Sequence, residues 1–536
     1  MGVVDALSAV LPGLILGGHY ALLILLSLYG AHRLYHLAVW RHVFREAPMS
    51  PDAMALDQWP MVTVQLPVFN EKFVVARLLD QVSKLDYPAD RLQIQLVDDS
   101  DDESTGIAAQ AIEELRLHGV AIEHVRRPDR TGFKAGGLDY AMRSATGEFI
   151  AIFDADFMPQ PDFLKRTIPV FTDTEIGMVQ ARWTYLNREQ SLLTRVEALM
   201  LDAHFAVEQM IRSRSGAYFN FNGTGGVWRR TAIEDAGGWQ ADTLTEDMDL
   251  SYRAQMRGWR FAYRGDVECP SELPSDVAAF KTQQHRWAKG AVQVMKKVLP
   301  PLWRSKASLH IKVEATFHLS GNICYILMLI DSLFFLMPSV YLREDSYASA
   351  WLWLDIPILI FASLSHGIYY LYAQRRLGHE VLRQMVIMPV VFAASIGLGV
   401  NNSRAVIEAI VGHETGFVRT PKVGGTVSEV GSSKPQAATY QALRFIWVDR
   451  LELLLGLLFT LFIGWSLARG QWLALPFLSV FALGYLSYGF ASMRLDRSKQ
   501  KPLTLQKARI LEEPPLIEAR DAPKHSQDHT VSERVF

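Results

Sequence analysis

The chain reads as an α/β domain with a mostly parallel sheet, set into a bundle of membrane-spanning helices. Three observations point there. Between Met61 and Leu299, short apolar runs alternate with helical patterns. Long apolar runs lie before and after that region. Carboxylates gather where one short run ends, since Asp154 and Asp156 close Phe149–Phe153. A strand ending this way aims acids at the crevice beyond the sheet edge, where open α/β sheets bind ligands.

The strand candidates are Met61–Leu66, Leu92–Val97, Phe149–Phe153 and Met178–Trp183, with helical stretches near Glu71–Lys84, Asp102–His118 and Phe133–Ser144. The βαβ alternation implies helices on both faces of the sheet. The apolar run Val10–Ala31 is long enough to span, and Arg33, Arg41 and Arg45 follow it. The positive-inside rule then places the N-terminus outside and the α/β domain in the cytoplasm. Leu319–Leu342, Trp351–Ala373, Leu451–Ala468 and Trp472–Met493 are further spans. Met385–Val400 is short and carries Pro389, Gly397 and Gly399, so it reads as interfacial or re-entrant.

The expected division is 1–58, a membrane helix (10–31) and cytoplasmic linker; 59–299, the cytoplasmic domain; and 300–318, an interfacial helix. Next come 319–493, the membrane region with segment 385–400 and a cytoplasmic loop 411–446, and 494–536, a disordered cytoplasmic tail. Hydrophobic residues make up 49% of 536, which suits a part-membrane chain. A net charge of −2 gives no basic field for nucleic acid. Two cysteines, Cys269 and Cys324, cannot build a disulfide framework or a zinc site.

Acids without sulfur ligands suit a hard cation, Mg²⁺ or Mn²⁺, shared with substrate phosphates. Asp98 and Asp99 end a strand and could accept hydrogen bonds from a nucleoside; the plainer reading is turn capping. Lys134, among the small residues of Thr131–Gly137, could meet a phosphate or simply start a helix. Glu246 and Asp247 precede a helical pattern, where a carboxylate is stabilised as an anion and could act as a base or a cap. Gln283, Arg286 and Trp287 share one helix face. Arg286 could hold a pyrophosphate and Trp287 could stack on a sugar, although lysines nearby also suit a helix lying on a membrane. Asp331 and Asp355 fall in apolar runs, where acids default to function; Asp331 could face a polar path across the membrane.

Asp98-Asp99, Asp154-x-Asp156, Thr245-Glu246-Asp247 and Gln283-x-x-Arg286-Trp287 together resemble the D, DxD, TED and QxxRW signature of family 2 membrane glycosyltransferases, relatives of cellulose and hyaluronan synthases. Val64–Glu71, Val179–Trp183 and Phe221–Thr224 are similar to the cellulose synthase-like mannan and glucomannan synthases of plants. Phe417–Lys422 resembles the gating loop of cellulose synthases, with Phe417, Thr420 and Lys422 in place but Arg419 where those enzymes have Val. The resemblance implies a GT-A fold and an inverting transfer. It implies Asp99 for the nucleoside, Asp154 for the nucleotide, Asp156 for the metal, Asp247 as base, Gln283 and Arg286 for the diphosphate, and Trp287 for the acceptor.

The expected function is metal-dependent transfer of a hexose from a nucleotide sugar, UDP-glucose or GDP-mannose, to a β-linked glucan or mannan, with the polymer passing through the membrane. One rival adds a single sugar to a lipid acceptor. The other is an inactive membrane scaffold or channel.

Overall fold

The computed structural model describes residues 3–43, 58–343, 352–413 and 446–499. The expected gating-loop residues Phe417, Thr420 and Lys422 lie outside them, as do the linker 44–57 and most of the tail.

A seven-stranded sheet forms the centre of the α/β region, in the order β3-β2-β1-β4-β6-β5-β7. The strands are β1 (Val62–Val68), β2 (Leu92–Asp98), β3 (Ile122–Val125), β4 (Phe149–Ile152), β5 (Ile176–Tyr185), β6 (Gly226–Arg229) and β7 (Arg260–Ser271). β3, β2, β1 and β4 pair in parallel, as do β5 and β7, while β6 runs antiparallel to both its neighbours. The sheet is mostly parallel and covered on both faces, which is why β1 and β4 are buried almost throughout. Alternation sorts the side chains: Phe149 and Ala151 pack with Leu66 and Leu78, whereas Ile150 and Ile152 pack with Leu138 and Trp228. Polar residues inside the sheet are paired across strands. Gln65 donates to Gln95 at 3.1 Å and Gln95 to Glu123 at 2.9 Å, which offsets part of the cost of burying the amides.

Among the described residues, five helices are long and apolar enough to cross a membrane: Val10–Trp40, Ile323–Leu342, Trp353–Arg376, Ile446–Ala468 and Trp472–Met493. A sixth unit is bent by 41° between Val381–Gly397 and Gly399–Val411. Gly397 sits where any Cβ would strike the Tyr488 ring, so its neighbours pack against bare backbone.

The α/β region joins the apolar helices through the Val277–Arg304 helix, and a second helix, Leu309–Ser320, follows it. Buried ion pairs make the joint. Lys281 donates to Asp449 and Glu452, each at 2.9 Å, and Lys289, fully buried, to Glu408 at 3.1 Å. Arg33 of the first apolar helix donates to Glu208 at 2.9 Å. Charges at such depth persist only when paired.

Candidate active site

The strand ends β1, β2 and β4 open onto a cavity of about 1310 Å³. Asp99, Lys134, Asp154 and Asp156 line it at the sheet edge, and Asp247, Gln283, Arg286 and Trp287 line it from two helices. Eight of the nine site residues expected within the described chain therefore share one cavity. The ninth, Asp98, does not line it. Its carboxylate is buried, bonded to His124 at 2.9 Å and to the Ser100 N–H at 2.9 Å. Burial pushes that carboxyl up, but these hydrogen bonds outweigh it and hold it below its ordinary value.

β4 delivers the acid pair. Asp154 follows the strand, and its N–H donates to Thr224 Oγ1 at 2.8 Å. Lys134 Nζ donates to Asp154 Oδ1 at 2.5 Å and to the Gly223 carbonyl at 2.9 Å. Burial works against that ammonium, yet Asp154 and Glu246 raise its proton affinity.

Asp247 lies in the first turn of the helix Glu246–Met256. Thr245 makes no side-chain cap there. Asp247 Oδ1 instead accepts the Met248 N–H at 2.8 Å. Burial, and next the charge of Glu246, push the Asp247 carboxyl well above the usual carboxylate range. Gly223 packs against it with φ +83°, and an ideal Cβ there would lie 3.0 Å from Asp247 Oδ2.

The sequence pattern described as Glycosyltransferase like family 2 matches residues 60–290, which span the sheet, the acids and Trp287. Residues 60–290 are thus similar to glycosyltransferase family 2. The chain is 44% identical over 264 residues to glucomannan 4-β-mannosyltransferase 1 of Oryza sativa subsp. japonica, covering 48% of this chain and 51% of that protein. It is 42% identical over 260 residues to glucomannan 4-β-mannosyltransferase 2 of Arabidopsis thaliana, covering 48% and 49%. The chain thus spans about half the length of the curated relatives it matches. Among solved structures, the mannosyltransferase of Pyrobaculum calidifontis in complex with GDP-Man and Mn²⁺ shares the fold, with a TM-score of 0.50 at 21% identity over 74% of this chain and all of that one.

The family 2 domain offers donors that fit a hard cation. Asp154 and Asp156 present only carboxylate oxygens to the cavity, and the ammonium of Lys134 already rests on Asp154, so the spot attracts positive charge. The sequence reading passed over Thr224 and Gly223 as individual residues and missed Arg127 altogether. Gly223 was legible in principle, because an Asn-Gly-Thr-Gly-Gly run marks backbone that must come close to something.

The cavity does not stop at the family 2 domain. It continues among the apolar helices past Asp331 and Asp355, both of which line it. Asp331 meets His19 at 2.7 Å, and Asp355 accepts from Tyr20 at 2.8 Å and from Arg343 at 3.0 Å.

Proposed function

We propose that this chain transfers a hexosyl group from a nucleotide sugar to the non-reducing end of a β-linked glucan or mannan and passes the product through its own helices. Asp247 carries the reading. It is a half-buried carboxylate with raised proton affinity, in one cavity with the cationic groups Lys134 and Arg286. A base must hold a proton well enough to take one from a sugar hydroxyl, and burial supplies that.

On this reading the acceptor hydroxyl attacks the anomeric carbon, and Asp247 takes its proton. The bond to the diphosphate breaks on the opposite face, so the configuration inverts. Lys134, Gln283 and Arg286 hold the departing diphosphate and offset its charge. Asp154 and Asp156 would hold Mg²⁺ or Mn²⁺, which offsets diphosphate charge further when bound. Trp287 provides a flat face for the acceptor ring. The names of the matched relatives favour mannosyl as the group moved. The polar groups along the inner cavity, His19, Asp331 and Asp355, suit a hydroxyl-rich polymer better than an acyl chain. The five spanning helices would place the family 2 domain in the cytoplasm and the N-terminus outside, with the bent pair remaining on the cytoplasmic side.

The test is purified protein in lipid, incubated with a panel of sugar nucleotides that includes GDP-mannose and UDP-glucose, reading nucleoside diphosphate release and product size. A polymer supports the proposal. Single sugars on lipid would overturn the acceptor, and no release from any donor would overturn the enzyme.

A further inference from the structure

Arg127 does not line the cavity, yet it holds Asp99, which does, and the loop that leads into Lys134, which also does. Its side chain is 6% exposed. Nε donates to Asp99 Oδ1 at 2.7 Å and Nη2 to Asp99 Oδ2 at 2.6 Å, a forked contact that uses one edge of the carboxylate. The same guanidinium reaches the backbone of the next loop. Nη1 donates to the Thr131 carbonyl at 2.5 Å and Nη2 to the Phe133 carbonyl at 2.7 Å.

Those two carbonyls belong to a turn that would not persist alone. Gly132 has φ +74° and Phe133 φ +50°. A bulky residue in the left-handed region is strained and survives only where its surroundings dictate it. The residue after Phe133 is Lys134, whose ammonium bridges Asp154 and the Gly223 carbonyl. One guanidinium therefore orients the acid at the end of β2 and the loop that launches Lys134.

The glycines of this segment take on a specific meaning. A Cβ on Gly136 would lie 2.6 Å from Arg127 Nη1 and 2.1 Å from the Thr131 carbonyl oxygen. A Cβ on Gly137 would approach Asp99 Oδ2 to 3.6 Å. The small residues at 136 and 137 make room for Arg127 and its partners, where the sequence suggested room for a ligand.

We propose that Arg127 is the positioning residue of the donor pocket, presetting Asp99 for the nucleoside and Lys134 for the diphosphate at once. The proposal rests on the glycosyltransferase reading above. It implies that donor affinity depends on Arg127 directly, while the transfer step feels it only through Lys134 as the diphosphate departs and the proton removal by Asp247 does not. Lysine cannot substitute, because a single ammonium lacks the planar fork that reaches both the carboxylate and the two carbonyls.

The test uses the full chain in lipid, with R127M, R127K and G136A compared with the parent. Donor KM and kcat come from nucleoside diphosphate release, and nucleoside diphosphate affinity from equilibrium binding. R127M should raise donor KM and weaken nucleoside diphosphate binding by about tenfold or more, with kcat falling less, by about threefold. R127K should resemble R127M, and G136A, which crowds the guanidinium without removing it, should shift the same two quantities in the same direction. D99N combined with R127M should bind the nucleotide no worse than R127M alone, since the two act as a unit. Should R127M not fold, G136A and R127K decide. Unchanged KM in those variants, or a loss confined to apparent kcat that tracks the fraction of active protein, overturns the proposal. If the parent binds nucleoside diphosphate but releases none from any sugar nucleotide, the transfer reading fails, and the binding comparison still decides Arg127. If the parent binds no nucleotide, both fail.

Discussion

Replacing Gly223 by alanine should lower turnover without loosening the donor. Two costs arise. One is conformational: at φ +83° an L side chain is strained by roughly 1–2 kcal/mol, which falls on folding. The other is local to the chemistry. The new Cβ would sit 3.0 Å from Asp247 Oδ2, whereas ordinary contact begins at 3.4 Å, so the carboxylate must retreat by about 0.4 Å. Misplacing a reacting group by about 1 Å can cost roughly 10²-fold, and scaling that in proportion gives a loss of about sixfold in kcat. The same Cβ would lie 3.6 Å from Lys134 Nζ, an ordinary contact, so donor KM should hold. Gly225 supplies the control. It has φ +66°, and its Cβ would meet Cys269 and Trp183 at 3.4 Å with no catalytic group nearby. G223A and G225A share the backbone strain, and only G223A touches the base. The assay is steady-state nucleoside diphosphate release at saturating donor, on variants matched for melting temperature. Equal kcat in the two variants, or a change in G223A confined to donor KM, would refute the claim that Gly223 exists to let Asp247 sit where it does.

Asp247→Asn should cut kcat by about 10²–10⁴-fold while nucleotide binding stays near parent level, because the amide oxygen still accepts the Met248 N–H but no proton; near-normal turnover would make Asp247 a structural residue. Chelation with EDTA should abolish transfer and added Mg²⁺ or Mn²⁺ restore it, and Asp156→Ala should weaken both metal and donor binding; full activity in excess EDTA removes the metal from the mechanism. A cysteine replacing exposed His413, at the end of the bent helix pair, should react with an impermeant thiol reagent only in inverted membranes; labelling from outside intact cells would mean that the pair crosses.

Much of the fold was legible because parallel strands covered on both faces read as apolar runs. Met61–Leu66, Leu92–Val97, Phe149–Phe153 and Met178–Trp183 each fall on a strand of the sheet. Three strands escaped. Ile122–Val125 is four residues with Glu and His inside, Gly226–Arg229 is four residues opening on glycine, and Arg260–Ser271 is interrupted by charge and a register shift opposite Ala181 and Arg182. Their burial comes from neighbours far along the chain, which local pattern cannot show. In the site, the acids were visible because several fall where strands end. Arg127 was not visible, because an arginine in Arg126-Arg127-Pro128-Asp129-Arg130 looks like a solvated charge until Asp99 and the 131–133 turn are placed beside it. The helix irregularities at His204–Glu208 and Asp331–Phe335 also leave no periodic signal.

The lysines at 281 and 289 carry a practical consequence for anyone dissecting this molecule. Each sits on the helix that also presents Gln283, Arg286 and Trp287, and each is neutralised by an acid contributed more than a hundred residues later. Ending the polypeptide near residue 299 would discard Asp449, Glu452 and Glu408 together with the helices that bury the two ammonium groups, returning both lysines to water beside a newly bared apolar face that includes Phe280 and Val292. An exposed apolar face of that kind drives association of the trimmed domain. A soluble excised enzyme should therefore be hard to obtain by trimming alone. Keeping Lys281 and Lys289 and making the apolar residues around them polar in the same step would be the rational way to cut the machine in two.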